Sequence, residues 1–245
     1  MDEMDLESLC QMYLQVRRTA AWKTAEARLI EQSARAPLTS QDCRWLNEAL
    51  LHDQKKWFVA FTLQTTKSVP EVLYGPMIRA AVYEIDPSLN RSFISPCIEA
   101  FGYRRVNMSL LNYLEKGSDF EKAGAVNALY WAGMLRMVQG PPEKMAQNHK
   151  ECAGLDDVWQ KRRSMLLREF VVNSNTDVRR SIVPHLNLRP EAYPPELRPL
   201  IDEAIRLGRN AHDQYIRHRI EIQLGPTKLG KTLFQAIPHR NPPST

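Results

Sequence analysis

Three aspartates, Asp53, Asp86 and Asp119, recur at intervals of 33 residues, each after one helical pattern and before another. A carboxylate placed there accepts the free N–H groups of a first helical turn. Asp86-Pro87 adds proline at the first helical position, where its missing N–H costs nothing. The same signal returns as Asn175-Thr176-Asp177-Val178-Arg179 and as Ala211-His212-Asp213-Gln214-Tyr215-Ile216-Arg217. A fixed period with one helix pair per unit predicts a stack in which each pair buries its apolar stripe against its neighbours.

Apolar spacing fills in the helices. It predicts a first one through Leu6, Cys10, Tyr13 and Val16, and a second from Ala20 to Ser33 with Ala21, Trp22, Ala25, Leu29 and Ile30 on one side. A third, capped by Thr39-Ser40, carries Cys43, Leu46, Leu50 and Leu51. Further helices are predicted at 54–65, 70–85, 88–101, 104–115, 119–137, 157–173, 177–188, 194–207 and 213–223. Strand-like alternation is confined to Ile220-Glu221-Ile222-Gln223-Leu224. Trp57, Phe58, Tyr130 and Trp131 fall where packing between repeats would bury them.

Asp177-Val178-Arg179-Arg180-Ser181-Ile182-Val183-Pro184-His185-Leu186, then Leu197-Arg198-Pro199-Leu200-Ile201, then Tyr215-Ile216-Arg217 through Ile220, resemble the B, A and B helices of HEAT repeats. Val72-Leu73-Tyr74-Gly75-Pro76-Met77-Ile78 has the proline-bearing A-helix form. Lys56 to Phe61 and Lys122 to Leu129 are looser B helices without the Val-Arg pair, and Pro96 interrupts the unit after Asp86. The resemblance implies an all-α, right-handed α-solenoid of about five HEAT-like helix pairs. Residues 1–38 would be N-terminal capping helices, 39–224 the repeats, and 225–245 a C-terminal tail. An irregular insertion falls near 138–156, with a break at Gln139–Pro142 and an extra helix or ordered loop at 143–153. In such repeats Arg179 and Arg217 would pair with a neighbouring turn aspartate.

With 43% hydrophobic and 25% charged residues the chain is not of disordered composition, and ten glycines are too few for a turn-dense β sandwich. No apolar run approaches the ~18 residues of a membrane span, and the acidic Met1–Glu7 stretch does not look like a secretory signal. Cys10, Cys43, Cys97 and Cys152 are widely spaced, as in reduced packed thiols. A cytoplasmic location is expected. Charge is asymmetric: residues 1–122 hold 15 Lys/Arg against 16 Asp/Glu, and residues 123–245 hold 18 against 12.

Gly225-Pro226-Thr227-Lys228-Leu229-Gly230-Lys231-Thr232 fits the spacing of a phosphate-binding loop, but such a loop needs a buried strand before it and a helix after it. Three prolines in the 13 residues after Thr232 argue for a tail. His149, Cys152 and Asp156 share a helical face at i, i+3 and i+7, yet lack a fourth zinc ligand. The second-half cations Trp159-adjacent Lys161, Arg162 and Arg163, with Arg168, Arg180, Arg217 and Arg219, could form with Trp159 a stripe that tracks a phosphate backbone. DNA glycosylases for alkylated purines use a HEAT-like solenoid of similar length and basicity. Asp156, Asp157, Trp159, Arg162 and Arg163 are the residues that would serve there, although no motif carries that family's functional residues over.

The reading of the sequence is a non-enzymatic scaffold, adaptor or immunity-type solenoid with no cofactor, metal or small-molecule substrate. Its concave B-helix face would bind another protein, acidic partners included, through Lys55, Lys56, Glu121, Lys122, Arg179 and Arg180. The alternative is a basic nucleic-acid-binding solenoid.

Overall fold

The computed structural model describes residues 5–16, 22–33, 38–66, 69–134 and 154–225. Every regular element among them is helical. The chain forms two compact units, Met1–Trp159 and Gln160–Thr245.

The first unit holds α1 (Leu6–Val16), α2 (Trp22–Ser33), α3 (Ser40–Ala49), α4 (Lys55–Thr66), α5 (Glu71–Val82), α6 (Arg91–Lys116) and α7 (Asp119–Met134). Thr39 starts α3 with a reciprocal capping box: its hydroxyl accepts the Asp42 N–H at 3.1 Å, and the Asp42 carboxylate accepts the Thr39 N–H at 2.8 Å. Phe58, Val59, Ala60, Thr62 and Leu63 bury α4 on nearly every side, and it packs on α1, α2, α3 and α6. That is why the tight apolar run there lacks a polar stripe. The Thr62 hydroxyl meets the Ser33 hydroxyl of α2 at 2.7 Å.

Gly102 breaks α6 between 91–101 and 103–116, at a φ of 79° and ψ of 160° that a residue with a side chain rarely adopts. The two segments match the separate helices predicted at 88–101 and 104–115. The second lies along α5, where the Tyr74 and Ser109 hydroxyls are 2.8 Å apart and Arg105 forks onto Glu71, while Tyr74 also meets Phe101, the last residue of the first segment, edge-on. The first lies beside α4 and α7: the Trp57 and Phe93 rings are 5.2 Å apart, and Arg91 sits over Trp131, whose indole N–H donates to the Pro87 carbonyl at 2.6 Å.

The second unit holds most of α8 (Asp156–Val172), then α9 (Thr176–Ile182), α10 (Pro199–Arg209) and α11 (Gln214–Leu224). Asn175 caps α9 and Asp213 caps α11, each side chain accepting first-turn N–H groups. Helix α10 buries Ile201, Ala204 and Gly208 along one stripe and turns Asp202, Arg206 and Arg209 outward.

Several expectations are corrected. Ile220 to Leu224 is helix, because the Asp213 cap starts α11 and carries Ile216 and Ile220 into the core four residues apart. The helix expected at 177–188 ends at Ile182 and tightens into a 3₁₀ turn, Val183–His185, at Pro184, which has no N–H to give. The one expected at 194–207 starts at Pro199, after a 3₁₀ turn at Pro195–Leu197. Two of the periodic aspartates do other work. Asp86 accepts the Ser88 N–H in a turn, so α6 begins only at Arg91; and the α7 cap is Ser118, paired with Glu121. Residues 138–153 and 226–245, for which an insertion and a tail are expected, lie outside the described residues, as do the side chains of Trp22 and Ala25.

Candidate functional site: an open groove in the first unit

A groove of about 640 Å³ opens between α3, α4, α5 and α6. Its apolar side is Leu50, Leu51, Pro76 and Ala80, with Gly75 beside them. A β-carbon added at Gly75 would meet nothing within 4 Å, so the space over α5 is open. Leu51 is 67% exposed. Arg79 and Tyr83 project at the rim, with the guanidinium 5.3 Å from the ring centre. The Tyr83 ring also packs on Phe120, which is 54% exposed, and its hydroxyl donates to Glu121 at 2.8 Å. That bond holds the Tyr83 hydroxyl proton more tightly than usual, while the Ser118 N–H, the Tyr83 hydroxyl and Arg79 lower the Glu121 carboxyl.

Lys56 reaches the same groove but is already engaged. Its ammonium lies 2.8 Å from the buried Glu84 carboxylate and 3.5 Å from Asp53, and only 13% of the side chain is exposed. The other Glu84 oxygen accepts the Asp86 N–H at 2.9 Å. This network fixes the turn after α5; it does not offer a loose cation to a partner.

The other residues singled out from the sequence separate into distinct places. Lys55 sits by the Trp45 ring at 6.0 Å, half-buried. Glu121 and Lys122 lie in the first turn of α7, with Glu121 tied as above. Arg179 donates to the carbonyls of Phe170 and Val171, closing the C-terminal end of α8, and Arg217 donates to the carbonyls of Ala211 and His212. Both were expected to take a turn aspartate. The partner of Asp213 is instead Arg180, at 2.9 Å and 33 residues away, with its guanidinium over Tyr215. The arginine that meets this turn aspartate is therefore one residue later than expected.

On α8, Lys161, Arg163 and Arg168 are exposed and Arg162 is half-buried. At about 100° per residue, Lys161 and Arg168 share a face and Arg163 points the opposite way, so the predicted stripe divides. Trp159 is half-buried, and Asp157 is gripped by both Arg104 nitrogens at 2.7 and 2.8 Å, which lowers its carboxyl. A catalytic role for Asp157 would require that fork to release. Burial holds the Cys10 thiol up at about 11 and Cys97 at about 12, so neither is a ready nucleophile. Gly225 ends α11 at a φ of 77°, so a helix, not the strand a phosphate loop requires, precedes it; residues 226–232 lie outside the described residues, as do His149 and Cys152. Among the described residues no helix is long and apolar enough to cross a membrane.

Half-buried His185 titrates unusually. Burial, then the charges of Arg162 and Arg219, pull its imidazole down from 6.5 to about 4. The unfolded chain takes up this proton near 6.5 and the folded chain only near 4, so the associated stability is present above 6.5 and lost as pH falls toward 4. The expected loss is about 2 kcal/mol by a pH of ~4.5. Urea midpoints of the native chain and His185→Gln across that range check it: the difference should narrow on acidification.

The groove was not foreseen as a site. Gly75-Pro76 was legible only as an A-helix form, and its sole hint was a glycine inside a helix without a turn to explain it. Searched against family models, curated proteins and solved structures, the chain matches none.

Proposed function

We propose that the chain is a HEAT-like, right-handed α-solenoid of about five helix pairs, a cytoplasmic scaffold, adaptor or immunity-type protein that catalyses no reaction. Its first-unit groove takes a segment of a partner protein with apolar side chains and a flanking carboxylate.

Contacts between alternate helices support the repeat reading. Tyr74 with Ser109 and Glu71 with Arg105 link one set, and Trp57 with Phe93 and Arg91 with Trp131 link the other. The observation that carries the binding reading is the open groove, which exposed Leu51 lines together with Arg79 and Tyr83. Its volume alone would suit a small ligand, since such pockets run about 300–1,000 Å³. A small ligand, however, is fixed by several convergent polar groups, and here Lys56 is tied to Glu84. Exposed apolar and aromatic side chains with a rim arginine, bordered by the polar Asn47, Asp53 and Tyr113, are the make-up of a protein interface. Arg79 selects a carboxylate in the partner.

A displayed library of random peptides selected on the full chain tests this. The expected winners carry two apolar residues and an Asp or Glu, and bind with a Kd on the order of micromolar. Failure to enrich any such pattern, together with duplex DNA binding that falls steeply between low and moderate salt, would favour the nucleic-acid alternative instead.

A further inference from the structure

Resting on the groove reading above, we infer that Asp53 sets a second charge rule for the partner: the segment that fills the groove carries a lysine or arginine for Asp53 as well as the carboxylate for Arg79. Asp53 lines the groove from the turn between α3 and α4, whereas Arg79 enters it from α5. Asp53, Lys56 and Glu84 are joined by one ammonium. It lies 2.8 Å from Glu84, the length of a charge-assisted hydrogen bond, and 3.5 Å from Asp53, beyond the usual range. Two carboxylates against one ammonium leave one negative charge unbalanced. Burial decides where it sits. Glu84 is 7% exposed and could not release Lys56 without stranding a buried charge. The Asp53 side chain is 99% exposed, so the unbalanced charge is the one that faces solvent in the groove.

In the free protein, water satisfies Asp53. A partner seated on Leu50, Leu51 and Pro76 displaces part of that water, and a covered carboxylate without a donor is costly. Lys56 cannot swing over to serve it, being held by Glu84. The donor has to come from the partner, and a cation supplies both the hydrogen bond and the missing charge. An apolar residue or a second carboxylate at that place is rejected, which makes Asp53 a determinant of specificity more than of affinity. The competing account is local: a carboxylate two residues before Lys55 also suits the positive end of α4, a role that makes no demand on a partner.

The full native chain and full-length Asp53→Lys are each used to select from the same displayed library of random peptides. Native winners should carry a Lys or Arg at a fixed separation from their Asp or Glu, and Asp53→Lys winners a second Asp or Glu in place of that base. For one native winner, fluorescence anisotropy should show affinity falling about fivefold with Asp53→Asn, and by the same factor when the peptide's base becomes glutamine. Combining the two changes should cost nothing further. Should Asp53→Lys fail to fold, Asp53→Asn, which keeps a polar group of the same shape, carries the test alone. Winners with apolar residues and a carboxylate but no base, or losses that simply add in the combined change, overturn the role of Asp53 and leave the groove reading standing. Enrichment of no pattern on either chain removes both.

Discussion

Gly124→Ala should destabilise the chain by about 3 kcal/mol or more, with the opposite sign to the usual helix result. Replacing an interior helical glycine by alanine normally stabilises by about 1 kcal/mol, because alanine has less backbone freedom to lose. In α7 that gain is overwhelmed. A β-carbon at Gly124 would overlap the Val82 carbonyl oxygen at the end of α5 and stand 2.9 Å from its carbonyl carbon. The obstacle is backbone, so no rotamer change relieves it, and α5 and α7 must separate. Overpacking a core costs about 1–3 kcal/mol even where side chains can adjust. Gly208 provides the internal comparison. There the clash is with the Ile220 side chain, Cγ1 at 2.4 Å and Cδ1 at 2.8 Å, and with no backbone atom, so Gly208→Ala should cost less. Urea unfolding of both variants checks the ranking; a stabilised Gly124→Ala would refute the close α5–α7 approach.

Lys56→Met should cost about 3–5 kcal/mol, the usual effect of removing one partner from a buried ion pair. The loss comes mainly from the carboxylate left behind: Glu84 is 7% exposed, and its remaining bond is the Asp86 N–H. Lys56→Met/Glu84→Gln should recover most of the deficit, because no unpaired charge remains. A loss below about 1 kcal/mol would class the pair with ordinary surface bridges and return Lys56 to the pool of available binding cations.

Local chemistry was legible where it is decided within one helical turn. Thr39 and Asp213 cap the helices their spacing announces, and the break near residue 102 follows from helical patterns on either side of a glycine. What the sequence could not reveal is the choice of partner across distance. Arg104 finds Asp157 at a separation of 53 residues, and Lys56 finds Glu84 in another helix. Charge patterning along a single helix contains neither pairing, so Lys56 read as an available cation and Asp157 as a candidate site residue. The groove was hidden for a related reason: it is a space between four helices, left by the small Gly75 and Ala80, and only their packing defines it.

The most direct test of groove binding compares a selected peptide's affinity for the native chain and for Leu51→Glu. Leu51 is exposed, so its stability should stay within about 0.5 kcal/mol of native. Fluorescence anisotropy should then show affinity falling at least tenfold, as an apolar contact is lost and a carboxylate is set against the partner's own. Unchanged affinity in a stably folded Leu51→Glu would contradict the groove as the binding site.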